Sequence, residues 1–162
     1  MNKRIILVGK AGSGKDFLRK KLESRNFKYA VSYTTRPMRE GEVNGVDYFF
    51  ISGRAADIMI LNGEFFEYVV FNGWIYGTTI AQWRQYHDES VYIMTPSGLA
   101  HVGDEDRKEC LVIFTDIDIE IRRTRLINRD MPGDSIDRRI EADEQDFKNF
   151  TNYDVRITNP DF

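Results

Sequence analysis

The sequence predicts an α/β domain: a parallel sheet of five short strands with helices on both faces. Three observations predict it. Short apolar runs recur at 3–8, 29–33, 91–95, 110–115 and 154–158, each the length of a buried strand. Segments with helical spacing separate most of them, as crossovers between parallel strands require. The first run, Ile5-Ile6-Leu7-Val8, leads through Gly9-Lys10-Ala11-Gly12-Ser13-Gly14-Lys15-Asp16 into Phe17-Leu18-Arg19-Lys20-Lys21-Leu22. Strand, glycine-rich turn and helix, in that order, are the setting of a phosphate-binding loop.

That loop is the first element to justify. Its glycines let the backbone curl so that N–H groups face an anion. The helix start adds unpaired donors and the positive end of a dipole. Lys15 reaches outward to further phosphates. Asp16 departs from the strict pattern, which places a serine or threonine hydroxyl there. Helix continues to about Arg25, and 29–33 forms a second strand. Pro37, Gly41 and Asn44-Gly45 mark a loop, with Asn44-Gly45 placed to close a hairpin into a strand at 48–51. A short helix over 54–62 ends at Gly63. Asn72-Gly73 joins 65–71 to 74–76 in another hairpin, and 80–86 returns as helix. Residues 32–80 thus form a small, turn-rich mixed insert. Asp118 caps a helix running to about Asn128. Met131-Pro132-Gly133-Asp134 breaks it, and 136–150 is the last helix. In such a sheet, ligands lie at the carboxyl ends of the strands. Ser32, Thr95 and Thr115 fall there, beside the loop.

The chain has 162 residues, enough for one domain with a real core. A net charge of −3 argues against global attraction to nucleic acid, so any anion site is a local cluster of cations. No apolar run is long enough for a signal peptide or a membrane span. The single cysteine, Cys110, lies in an apolar run and reads as a buried structural thiol. A reducing cytoplasm fits these features.

The cations are clustered. Arg36 and Arg39 flank a proline-stiffened turn. Arg122, Arg123, Arg125 and Arg129 crowd one helix, and Arg138 and Arg139 open the next. Arginine's planar fork suits a bidentate grip on phosphate oxygens. The 122–129 group reads equally well as a solvated face with ion pairs to Asp116, Asp118, Glu120 and Asp130.

The run 32–50, Ser-Tyr-Thr-Thr-Arg-Pro-Met-Arg-Glu-Gly-Glu-Val-Asn-Gly-Val-Asp-Tyr-Phe-Phe, resembles the nucleoside-monophosphate segment of the guanylate kinase family. Phe65-Phe66-Glu67 and Tyr76-Gly77-Thr78 resemble its next motifs, in order and spacing. Arg125-Leu126-Ile127-Asn128-Arg129 and Arg139-Ile140-Glu141-Ala142 resemble its lid, and Asn159 its adenine-side asparagine. The resemblance implies a P-loop nucleoside-monophosphate-kinase fold in a single domain over 1–162. Its core would span 1–31, 81–121 and 140–162, its NMP-binding insert 32–80 and its lid 122–139. It implies an ATP- and Mg²⁺-dependent enzyme of purine nucleotide metabolism making GDP or dGDP from GMP or dGMP. ATP would rest on Gly9, Ala11, Gly12, Ser13, Gly14, Lys15, Asp16 and Asn159. The acceptor phosphate would meet Arg36, Arg39, Tyr48 and Tyr76, and guanine would meet Ser32, Glu67 and Thr78. Arg129 and Arg139 would contact the moving phosphoryl group, with Lys15 and Arg36 completing the catalytic set. Arg125 matches a further family arginine. Nucleotides would be the partners, with no nucleic acid or membrane, and homo-oligomers are compatible.

Several departures from the family shape the expectations. The strand at 91–95 carries Ile93 and Thr95 where the family usually has two aspartates, which points to relaxed guanine selectivity. Asp16 then becomes a candidate Mg²⁺ ligand, directly or through water, taking over the lost acidic role. The lid is about one residue short. The chain stops at Phe162, where the family continues through a helix. Two alternatives follow: a broader deoxynucleoside-monophosphate kinase, and a catalytically silent, protein-binding module. The latter generally lacks the phosphate loop, which here keeps Gly9, Gly14 and Lys15.

Overall fold

A computed structural model describes residues 3–129 and 135–162. Met131-Pro132-Gly133-Asp134, predicted to break the chain between two helices, lies outside the described residues. Strand β1 (Arg4–Gly9) sits at the centre of a five-stranded parallel sheet. Its neighbours are β7 (Ser90–Ile93) and β8 (Cys110–Thr115), with β2 (Lys28–Tyr29) and β9 (Val155–Ile157) at the edges. Continuous apolar runs suit strands covered on both faces. Ile5, Leu7 and Val91 pack on one side with Leu18 and Leu22 of helix α1 (Lys15–Glu23). Ile6, Val8, Tyr92, Met94 and Val112 pack on the other with Trp83 of helix α3 (Ile80–Gln85). Cys110 is buried, and its thiol donates to the Asp106 carbonyl at 3.2 Å.

The predicted strand at 29–33 is in fact two. β2 pairs with β7 in the core sheet, whereas β3 (Tyr33–Thr34) joins a second sheet. That sheet has the order β4-β3-β6-β5, with β4 at Phe49–Phe50, β5 at Phe65–Phe71 and β6 at Trp74–Thr79. Residues 30–32 therefore cross from one sheet to the other, which no local periodicity announces. The expected Asn44-Gly45 hairpin is also absent, because β4 runs parallel to β3. Asn44 instead accepts the Phe50 N–H through Oδ1 at 2.9 Å. The Asn72-Gly73 hairpin does form, with both residues at positive φ (53° and 77°).

Helix α2 (Gly53–Leu61) is capped by Ser52, whose hydroxyl accepts from Ala55 N–H. Thr79 and Gln82 close a reciprocal capping box on α3. Asp118 caps α6 (Ile119–Asn128) as expected, by accepting from Glu120 N–H at 2.9 Å. Two short helices escaped the sequence reading: α4 (Pro96–Leu99) and α5 (Asp104–Lys108). Helix α7 (Ile136–Asp146) ends before the predicted 150. Beyond it, Phe147 and Phe150 turn onto Phe114 of β8, with ring centroids 5.3 and 5.2 Å away. Aromatic burial there outweighs continued helix.

Candidate functional site

The site begins where β1 ends. Gly9 pairs with Thr115 in register, and no side chain fits between them. A Cβ on Gly9 would lie 2.0 Å from Thr115 Oγ1 and 2.6 Å from Ser13 Oγ. The space is used instead by the Ser13–Thr115 hydroxyl contact at 2.7 Å. Gly12 and Gly14 then turn the chain at φ 75° and 90°. Gly14 is the N-cap of α1 and supplies no side-chain cap, so the helix's first amides face outward for an anion. Lys15 folds back on the loop, its Nζ donating to Gly9 O at 2.5 Å and to Lys10 O at 3.1 Å. Burial lowers its pKa to about 8. Asp143 pulls upward against that fall, and Arg139, Arg129 and Arg122 add to it.

A cleft runs from this loop to the second sheet. Gly9, Ala11, Lys15, Ser32, Tyr48, Glu67, Tyr76 and Arg139 all line it, so it gathers residues that lie far apart in the sequence. Arg36 lies 4% exposed beneath the Tyr48 ring, its guanidinium carbon 5.4 Å from the ring centre. Its fork grips both Glu42 oxygens, at 2.7 and 3.0 Å, and donates to Pro37 O. Glu42 also accepts from Arg39 N–H, so it folds the 36–42 turn around itself. The sequence reading missed Glu42. A carboxylate six residues from an arginine has meaning only once the turn has formed. Burial lowers the Arg39 pKa, and repulsion from Arg36 and Arg139 adds to the effect. Arg36 and Arg39 do not line the cleft itself, but the mutual repulsion of these cations makes the 36–42 turn a local patch that attracts an anion. Burial and the neighbouring Tyr76 keep the Tyr48 phenol above its ordinary pKa, hence protonated and able to donate.

Glu67 stands on β5 opposite Thr78 and is only 5% exposed. Burial pushes its carboxyl up to about 7, against the opposing pull of the Thr78 hydroxyl and of His101. Thr78 Oγ1 is buried and makes no well-formed hydrogen bond to protein. A buried acid next to an unsatisfied hydroxyl marks a place where a polar ligand completes the bonding. Thr95 also lines the cleft, where its hydroxyl accepts from Gly98 N–H at 3.0 Å.

Other predicted site residues do not line this cleft. Arg129 is exposed at the C-cap of α6. Asn159 is exposed and caps its own turn, accepting from Asp161 N–H. Arg122 and Arg125 are not a solvated face. Arg122 donates to Ala11 O and Ile117 O, and Arg125 to Gly12 O and Pro160 O, so both brace the loop from outside. Arg123 does form the exposed pair, with Asp137. Asp143 and Asp146 line the cleft unannounced by any motif.

Asp16 pairs with cations on its own helix. Its Oδ1 accepts from Arg19 Nε at 2.9 Å and its Oδ2 lies 3.9 Å from Lys20 Nζ. Among the described residues no three potential metal ligands cluster. Asp16→Ser is therefore expected to leave the magnesium dependence of ATP affinity unchanged. Titration of ATP with and without magnesium checks this, and a dependence lost in the variant would restore Asp16 as a ligand.

A phosphate loop on a parallel sheet, facing a second anion site across one cleft, defines a P-loop phosphotransferase of the nucleoside-monophosphate-kinase class. Comparison with known proteins narrows the class. The sequence profile of the family described as Guanylate kinase matches residues 1–162. The guanylate kinase of Enterococcus faecalis is 33% identical, over 96% of this chain and 79% of its own length. That of Lactococcus lactis is 32% identical, over 96% and 78%. The crystal structure of guanylate kinase from Anaplasma phagocytophilum shares the fold, with a TM-score of 0.72 at 23% identity over 98% of this chain and 78% of that one. The chain belongs to the guanylate kinase family.

Proposed function

We propose that this enzyme transfers the γ-phosphoryl group of ATP to GMP or dGMP, with the loop at 9–15 as donor site and the cleft face of the insert as acceptor site. Glu67, buried on β5 opposite Thr78 and lining the cleft, carries the guanine assignment. An ionised carboxylate there accepts from the ring N–H and the exocyclic amine of guanine, a pair of donors that adenine lacks.

ATP is taken as its magnesium complex. Magnesium carried by ATP would neutralise phosphate charge, and among the described residues no cluster of three His, Cys, Asp or Glu side chains is formed to hold it. On the protein side, the start of α1 holds phosphate oxygens through its amides. Lys15 exchanges two loop carbonyls for phosphate. Arg36, Arg39, Tyr48 and Tyr76 hold the acceptor phosphate in line. Arg139, which lines the cleft with Lys15, and Arg129, at the end of α6, would add positive charge around the transferred group. The chemistry asked of these groups is positioning and charge neutralisation, with no covalent intermediate.

A coupled assay with GMP, dGMP, AMP and dTMP, each with ATP and Mg²⁺, tests the assignment. The guanine nucleotides are expected to turn over at least about 100-fold more efficiently, the scale set by pairing two donors with a buried charge. Preference for another base, or no turnover by folded protein, would overturn it. Among the described residues no helix is long and apolar enough to cross a membrane.

A further inference from the structure

Helices α6 and α7 hold the outer arc of the phosphate loop through a short chain of charged contacts. Lys10 Nζ meets Glu144 at 3.0 Å. Glu144 in turn meets Arg122 at 2.9 Å, and Arg122 donates to Ala11 O. The Ala11 N–H is taken by Asp143 Oδ2 at 2.8 Å. Ala11 and Ile140 share a small buried apolar cluster beneath these bonds. Asp143 is only 9% exposed, and its carboxylate lies 3.8 Å from Arg122 Nη1.

Asp143 is an odd residue to find here. It lines the cleft together with Lys15 and Arg139. A fixed anion beside a triphosphate site repels the ligand, so a purely structural acceptor for one amide would be better placed elsewhere. Its position on α7 supplies the reason. Asp143 follows Arg139 by four residues, hence on the same helix face one turn along. Fixing Asp143 to the loop fixes the height and rotation of that turn, and with it the origin of the Arg139 side chain. The bond is charge-assisted, and its loss would leave a buried amide unpaired.

We propose that Asp143 is a positioning residue that latches α7 to the Ala11 amide, so that Arg139 is held in register with phosphates bound on the same loop. The inference rests on the phosphotransferase reading above. It makes the donor loop and α7 a single mechanical unit. ATP bound to the loop would then order α7, and the arginine would arrive already aligned.

Two variants separate the latch from the charge. Asp143→Asn keeps a carbonyl oxygen for Ala11 N–H, and Asp143→Ala keeps none. In Asp143→Ala, kcat is expected to fall about 10- to 100-fold, the scale of an ångström-level misplacement. KM for GMP should stay within about twofold, since Asp143 acts through Arg139, and Asp143→Asn should recover most of kcat. Arg139→Ala should cost less in the Asp143→Ala background than alone, because the two act as one unit. Hydrogen exchange along Ile136–Asp146 provides a readout without turnover. ATP should slow it in the wild type and Asp143→Asn, and not in Asp143→Ala. Unchanged kcat in Asp143→Ala, equal losses in both variants, or an equal exchange response in all three proteins would overturn the latch. Failure of the wild type to phosphorylate GMP would overturn the proposed function, while the exchange comparison still decides the latch.

Discussion

Glu67→Gln is expected to lower kcat/KM for GMP by about 10²–10³-fold, the size of two hydrogen bonds to a buried charge. The glutamine keeps one acceptor oxygen and sets a donor amine against guanine's own donors. Turnover of AMP, already poor, should change little. The pH dependence is a sharper test. Burial holds the Glu67 carboxyl at about 7 in the empty enzyme, and guanine's two donors favour the ionised form. Binding therefore releases a proton when the pH is below about 7. KM for GMP should rise by up to tenfold per pH unit below that point. In Glu67→Gln this slope disappears, leaving only that of the acceptor phosphate's own ionisation. Stability moves the other way. A carboxyl whose folded pKa is raised destabilises the fold once it is ionised in the unfolded chain. The cost grows as pH rises from about 4.5 to about 7 and stays constant above. Melting curves at pH 5 and pH 8 should show the wild type losing stability relative to Glu67→Gln across that interval. A variant with unchanged GMP kinetics would remove Glu67 from the base site.

Arg36→Lys should lower kcat/KM for GMP by about 10²-fold, although the charge is kept. The fork now meets both Glu42 oxygens and Pro37 O, three bonds that a single ammonium at the end of a flexible stem cannot reproduce in that geometry. The 36–42 turn would loosen, and Arg39, whose N–H also depends on Glu42, would move with it. KM for ATP should hardly change, because the bonds described for this turn all stay within residues 36–42. Steady-state kinetics with each nucleotide varied in turn checks the split. A loss confined to ATP would place Arg36 at the wrong end of the cleft.

The phosphate loop was legible because its causes are local. Apolar strand, positive-φ glycines and helix start follow one another within twenty residues, and each is readable from residue type. The Asp118 cap of α6 and the Asn72-Gly73 turn were legible for the same reason. The expected strand at 29–33 failed because its residues are apolar enough for either sheet. Which sheet each one joins depends on the partners β7 and β6, far along the chain. The Asn44-Gly45 hairpin failed because β4 found β3 as a parallel partner, and so a turn with hairpin chemistry closes no hairpin. In the acceptor site, Arg36 and Glu67 could be singled out through resemblance, but Glu42 and Asp143 could not. Asp143 belongs to no motif, and Glu42, although inside the 32–50 run, has no role until the turn closes; each gains its role from a fold-level approach: Glu42 through the closed turn, Asp143 through the docking of α7 on the loop.

The sequence by itself determined the class of fold and the donor loop, since these rest on short-range pattern; the residues proposed to face the acceptor were named through resemblance. Only the tertiary structure decided what each charge does. Asp16, read from sequence as a candidate metal ligand, pairs with Arg19 three residues along its own helix. Arg122 and Arg125, on a helix that read equally well as phosphate-binding or solvated, brace the loop's carbonyls. Asp143, unremarked in the sequence, holds a loop amide. A charged side chain is assigned by the partner within about 3–4 Å of it; for Arg122, Arg125 and Asp143 that partner lies more than a hundred residues away and is brought near by packing between elements.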